Sequence, residues 1–234
     1  MTAALRLEGV VVTRSSGGAA FTLEVEALAL QPGALVAVTG ESGSGKSTLL
    51  DVAALAREPD RAAALSVAGE DAAALWRRGA RDALAGLRAR NFGYVLQTGG
   101  LVPFLTVRAN AALAQDLAAR RDAARIEALA RTLGLASLLD RLPATLSVGQ
   151  RQRASILRAL AHRPSLVLAD EPTASVHPDM AGEVLALLVA QAREAGAAVL
   201  LATHDAQAAR AAGFAEMPLR PAGAGSRLPA GVAA

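Results

Sequence analysis

The chain contains no cysteine, only 3% aromatic residues and a single lysine. Without cysteine there can be no disulfide framework and no thiolate metal site. So few rings cannot build the platforms on which unpaired bases stack, which speaks against a nucleic-acid partner. The formal net charge is only +3, and the pI near 10.4 reflects arginine's high pKa rather than a basic tract. Arginines are scattered among acids, with no long block of one sign. Hydrophobic residues make up 53% of the chain, but alanine supplies much of that share. No stretch approaches the roughly 20 apolar residues that a spanning helix needs, so no direct membrane insertion is expected. The first eight residues lack a charged segment followed by an apolar one, and no secretory leader is expected either. These absences point to a cytoplasmic protein. A length of 234 residues suits one domain, or one core with a smaller lobe, burying roughly 70% of the unfolded surface.

What is present is concentrated around the one lysine. Lys46 stands in Gly40-Glu-Ser-Gly-Ser-Gly-Lys-Ser-Thr48, while every other basic side chain except histidine is arginine. An ammonium is compact and flexible enough to enter a ring of backbone amides that a planar guanidinium would not fit. The segment matches G-x-x-x-x-G-K-[ST] at Gly40, Gly45, Lys46 and Ser47. Leu35 to Thr39 before it reads as a buried strand, and Ser47 to Leu55 after it as a helix. The loop therefore delivers free N–H groups and a helix dipole to an anion. Gly43 and Gly45 allow close backbone approach, Lys46 would reach the β and γ phosphates, and the Ser47 hydroxyl would ligate Mg²⁺. A dinucleotide-binding loop is excluded, because the glycines run G-x-x-G-x-G.

Along the chain, Leu5 to Val12 and Phe21 to Leu30 read as strands joined by a turn at 15–18. Further strands are expected at Ala64 to Val67, Phe92 to Leu96, Ser165 to Ala169 and Ala197 to Ala202. Helical periodicity runs from Thr106 to Arg141 with breaks near Arg121 and Gly134, then over Gln150 to His162 and Asp179 to Glu194. Residues 221–234, rich in Pro, Gly and Ala, are expected to be disordered. Strands alternating with helices imply an α/β sheet, and the helical block implies an inserted helical lobe at about 98–162.

Ser165-Leu-Val-Leu-Ala-Asp-Glu-Pro-Thr173 carries two adjacent carboxylates to the end of an apolar strand. Asp170 would hold Mg²⁺, and Glu171 would accept a proton from, or orient, an attacking water. By themselves the two could merely cap the next element. Leu146-Ser-Val-Gly-Gln150 likewise reads alone as a serine-capped helix start.

Taken in order, Gly40–Thr48, Gln97, Leu146–Gln150, Asp170–Glu171 and His204 resemble an ATP-binding-cassette (ABC) transporter ATPase over roughly residues 5–218. Arg90 to Gln97, Leu101 to Val107 with Asn110, and Leu168 to Thr173 look most like the LolD/MacB/FtsE group of bacterial cassettes. The resemblance implies an α/β fold: a RecA-like P-loop NTPase core with an N-terminal antiparallel β lobe and an inserted α-helical lobe, within one domain at 1–220. It implies ATP and Mg²⁺ as ligands. Gly40, Glu41, Ser42, Gly43, Ser44, Gly45, Lys46, Ser47 and Thr48 would cradle the phosphates. Ser147, Gly149 and Gln150 would reach the nucleotide of a partner cassette, in a homodimer or a heterodimer. Ser47, Gln97 and Asp170 would hold the metal, and Glu171, His204 and Gln97 would serve hydrolysis. Membrane permease subunits would be the partners, with the chain peripheral on the inner face of the cell membrane.

Three departures accompany the resemblance. The aromatic that usually stacks on adenine corresponds to Ser15, with Phe21 the nearest ring; Val148 replaces the middle glycine of the signature; and His177 stands where aspartate is usual. Val148 is tolerable if its φ is negative, whereas His177 bears on communication between two sites. The departures leave a second reading, a regulatory cassette with weak turnover. A DNA-repair or translation cassette would need a coiled coil, zinc cysteines or tandem cassettes, none of which the sequence supplies.

Overall fold

The computed structural model describes residues 2–16 and 19–233. Its strands are β1 (Leu5–Ser16), β2 (Ala19–Leu30), β3 (Leu35–Thr39), β4 (Ala64–Val67), β5 (Glu70–Asp71), β6 (Phe92–Val95), β7 (Leu166–Asp170), β8 (Ala198–Thr203), β9 (Ala215–Pro218), β10 (Arg220–Ala222), β11 (Gly225–Leu228) and β12 (Gly231–Ala233). The α-helices are α1 (Lys46–Ala53), α2 (Ala72–Arg77), α3 (Arg81–Asn91), α4 (Val107–Leu117), α5 (Ala123–Thr132), α6 (Val148–Leu160), α7 (Pro178–Glu194) and α8 (Ala206–Ala211).

A five-stranded parallel sheet runs in the order β6-β7-β8-β3-β9. Its central strands are apolar on both faces, as a parallel sheet covered on both sides requires. Alternation divides them between two cores. Val36, Val38, Leu166, Leu168, Leu200 and Ala202 join the antiparallel lobe, α1 and α3 in one. Leu35, Ala37, Val167, Ala169, Val199 and Leu201 face the helices α4 to α7 in the other. The predicted break in the helical block near Arg121 falls between α4 and α5, where Asp122 caps α5 by accepting from Arg125 N. The α/β reading of the sequence is thus what the chain folds into.

α6 crosses β6 at very close range. A Cβ on Gly93 would lie 2.2 Å from the carbonyl oxygen of Ala159. Just past α6, His162 is 3% exposed, neither ring nitrogen has a hydrogen-bond partner among the described residues, and burial pushes its imidazole down to about 4, with the charge of Arg120 adding to the effect. An unfolded histidine titrates near 6.5. Between those values the unfolded chain binds more protons, so this stabilisation is complete above about pH 6.5 and is lost as pH falls towards 4. Urea unfolding at about pH 7.5 and about pH 5 should show a loss of roughly 2 kcal/mol that is absent from His162→Gln. An identical loss in both chains would clear His162 of the effect.

The second sheet is mixed and runs β10-β11-β2-β1-β4-β5, with β12 also on β2. Its C-terminal part corrects the expectation of disorder from residue 221. β11 pairs parallel with β2 at Thr22 to Val25, and β12 follows it at Leu28 to Leu30. Leu228 is fully buried, and Arg227 forms ion pairs with Glu24 and Glu26. Composition misleads here because the tail takes its order from the open edge of β2, some 200 residues earlier. The predicted turn at 15–18 lies partly outside the described residues.

Candidate functional site

The phosphate loop, the two carboxylates and the histidine come from neighbouring strands and meet at one edge of the parallel sheet. β3 ends at Thr39 and feeds the Gly-rich loop; β7 ends on Asp170; β8 ends at Thr203, one residue before His204. Ligands of open parallel sheets bind at such carboxyl ends. The site is a cleft of about 1210 Å³ lined by Glu41, Ser42, Gly43, Gly45, Lys46, Ser47, Thr48, Gln97, Asp170, Glu171 and His204, with Arg14, Ser15, Ala20 and Phe21 on the antiparallel side. Gly40 and Ser44 belong to the same loop just behind this lining; Ser44 N donates to Glu41 O at 3.2 Å.

Gly43 and Gly45 have φ of +80° and +95°, which a side chain would strain. Lys46 is 7% exposed, and its Nζ donates to Gly40 O at 2.7 Å and Glu41 O at 2.9 Å while standing 3.6 Å from Glu171 Oε1. Glu171 also meets His204 Nδ1, at 2.9 Å from Oε2. Its own φ is +44°, a left-handed conformation costing a non-glycine residue about 1–3 kcal/mol. A hydrogen bond from its N–H to Ala202 O at 2.9 Å holds it there. Burial pushes the Asp170 carboxyl up, the Ser47 hydrogen bond works against this, and the neighbouring Glu171 adds to it. Gln97 is exposed at the cleft, following β6, and its carbonyl accepts from Ser175 Oγ at 3.4 Å.

Ser147, Gly149 and Gln150 are not brought to this cleft within the chain. They open α6, where the Ser147 hydroxyl accepts from Gln150 N and the Gln150 side chain accepts from Ser147 N, a complete capping box. Val148 is helical, outside the positive-φ residues, and 43% exposed. The valine is thus accommodated without backbone strain.

Arg14 is a lining residue that sequence reasoning passed over in favour of Ser15. Ser15 lies opposite Ala20 in the β1–β2 ladder, whereas Arg14 lies opposite Phe21. Its signal was available in the alternation: Val10 and Val12 are buried on one face of β1, and Arg14 is next on that face.

A family profile described as ABC transporter matches residues 23–174. The lipoprotein-releasing system ATP-binding protein LolD 1 of Rhodospirillum rubrum is 38% identical over 212 residues, 89% of this chain and 92% of its own length. The macrolide export ATP-binding/permease protein MacB of Marinobacter nauticus is 39% identical over 207 residues, 86% of this chain but 31% of its own length. The chain therefore spans about a third of the latter relative and nearly all of the former. Among solved structures, a dimeric ATP-binding cassette in a post-hydrolysis state with ADP and Pi superposes with a TM-score of 0.80 and 27% identity, covering 96% of both chains. Among the described residues, no helix is long and apolar enough to cross a membrane.

Proposed function

The chain belongs to the ABC transporter family and is an ATP-hydrolysing nucleotide-binding cassette of LolD/MacB type, and from that premise we propose how its residues divide the work and with what they assemble. The observation that carries the reading is the convergence of Lys46, Asp170, Glu171 and His204 on one cleft. The loop amides and Lys46 bind the phosphate chain, with the ammonium on the β and γ phosphates. Glu171 is the general base: its carboxylate can take the proton of the attacking water, and its side-chain contacts with Lys46 and His204 fix its direction. His204 positions Glu171 through Nδ1 and faces the γ-phosphate end of the cleft.

The donors present suit Mg²⁺. The Ser47 hydroxyl and Asp170 carboxylate line the same cleft, Gln97 adds an amide oxygen, and all three are hard oxygen donors. Among the described residues no group of three or more His, Cys, Asp or Glu could hold a metal alone. That matches an ion which takes its remaining ligands from phosphate and water. When bound, it would offset charge on the β and γ oxygens.

Assembly follows from what one chain leaves undone. Ser147 and Gly149 head a capped helix N-terminus that is not part of the chain's own cleft. In a head-to-tail dimer that N-terminus would face the partner's γ-phosphate, so ATP would join the two copies and hydrolysis would release them. Phe104, 78% exposed beside Leu101 and Val102, offers an apolar surface to permease subunits. That would hold the cassette against the inner face of the membrane. Glu171 in contact with both Lys46 and His204 favours a working motor over a weakly hydrolysing regulator.

The test is Lys46→Ala. Removing the ammonium's charge-assisted bonds should weaken ATP binding at least tenfold, from roughly 1.5–3 kcal/mol per bond to a charged group, and turnover should fall with it. Unchanged affinity by titration calorimetry would remove the basis of the reading.

A further inference from the structure

Arg14 reaches the first turn of α1, which follows the phosphate loop. At Gly9, φ is +54°, and the buried positions of β1 change from Leu5 and Leu7 to Val10 and Val12. Arg14 continues the second set and so faces the cleft. Across the ladder it pairs with Phe21, whose ring stands so close to Gly45 that a Cβ there would lie 2.9 Å from it. The ring thus packs against the loop while also lining the cleft. From the guanidinium, Nη1 donates to Thr48 Oγ1 at 3.0 Å. Thr48 is 3% exposed on the first turn of α1, two residues beyond Lys46.

Two cations thus border the same crown of amides. Lys46 is on the side of Glu171 and His204, where the γ-phosphate would be cleaved. Arg14 is in the antiparallel wall of the cleft with Ser15, Ala20 and Phe21, where the α-phosphate and nucleoside would fall if the γ-phosphate lies beside Glu171. Among the described residues Arg14 forms no ion pair, and its bond to Thr48 uses one of five donors. A guanidinium in that position has a natural ligand in a phosphate oxygen.

Resting on the nucleotide-binding reading above, we propose that Arg14 is a second phosphate-binding residue. It grips the α-phosphate end of the nucleotide, so that affinity comes from phosphate charge where a ring stacked on the base would otherwise supply it. Two consequences follow. Binding is strongly salt-dependent, because an exposed guanidinium is readily screened. Discrimination between adenine and guanine is weak, because the gripping group does not read the base.

The experiment is equilibrium binding of fluorescent ATP and GTP analogues to the full chain at low and high salt, with Arg14→Gln, Arg14→Lys and Arg14→Tyr. Thermal unfolding of each variant establishes that it is folded. Arg14→Gln should weaken both nucleotides equally, by roughly 10- to 100-fold at low salt and less at high salt. Arg14→Lys should recover most of the loss and Arg14→Tyr none of it. Recovery in Arg14→Tyr but not Arg14→Lys would overturn the proposal in favour of base stacking. Normal affinity in Arg14→Gln would overturn it as well. A wild-type chain with no nucleotide affinity would overturn this proposal and the preceding reading together, which separates the two failures.

Discussion

Glu171→Gln is expected to lower ATP turnover by about 10²- to 10⁴-fold, the usual contribution of a positioned general base, while nucleotide affinity changes little. The amide keeps the shape of the side chain and can still meet Lys46 and His204, but it has no carboxylate to take a proton from water. The left-handed backbone at Glu171 supports this assignment. A φ of +44° is a costly conformation for glutamate, and the turn is held by a main-chain bond to Ala202 on the neighbouring strand. The strain delivers the carboxylate to 2.9 Å from His204 and 3.6 Å from Lys46. With binding intact and hydrolysis stopped, the variant should accumulate as an ATP-joined dimer on size-exclusion chromatography. A fall of less than tenfold in single-turnover hydrolysis would show that another group takes the proton.

The second large effect lies away from the chemistry. Gly93→Ala should cost about 3 kcal/mol or more, the upper end of ordinary overpacking, and lower Tm by roughly 6–12 °C. The added methyl would stand 2.2 Å from a main-chain oxygen of Ala159, which no rotamer change can move. Either β6 or α6 must shift. Because Ser147 caps α6, its displacement would also carry the capped N-terminus out of register with the partner's cleft in the proposed dimer. Dimer formation should therefore weaken beyond what lost stability explains. A Tm within about 2 °C of wild type would mean that the helix rides farther from the sheet than its backbone contact indicates.

The central layer of the fold and most of the cleft could be read from the sequence because their causes are local. Leu35 to Thr39, Leu166 to Ala169 and Ala198 to Ala202 are continuous apolar runs because both sheet faces are covered, and such runs identify buried strands without knowledge of their neighbours. The phosphate loop is legible for a chemical reason: φ values near +80° and +95° at Gly43 and Gly45 require glycine, and the ammonium must follow at once. What escaped depends on distant partners. β11 is ordered by β2, and nothing in Gly225 to Leu228 announces that pairing. Arg14 escaped for another reason: its strand changes face at Gly9, so a count begun from Leu5 assigns it to solvent. The correction required only Val10 and Val12. Ser147 and Gly149 stand apart from the cleft in the single chain, as the proposed head-to-tail dimer would require.

The strands on β2 have a consequence for how the molecule keeps to itself. β2 is 12 residues long, and left bare along one side it would offer a row of unpaired donors and acceptors to any passing chain. β11 and β12 occupy that row, and the rim passes outward to β10, three residues long with Pro221 at its centre. Proline has no N–H to give. The opposite rim is β5, two residues long and both acidic. At β10 and β5 the lobe thus finishes in stubs that offer little to a further strand, which guards those two rims against aggregation in a lobe that also holds Arg14 and Phe21 beside the phosphate loop.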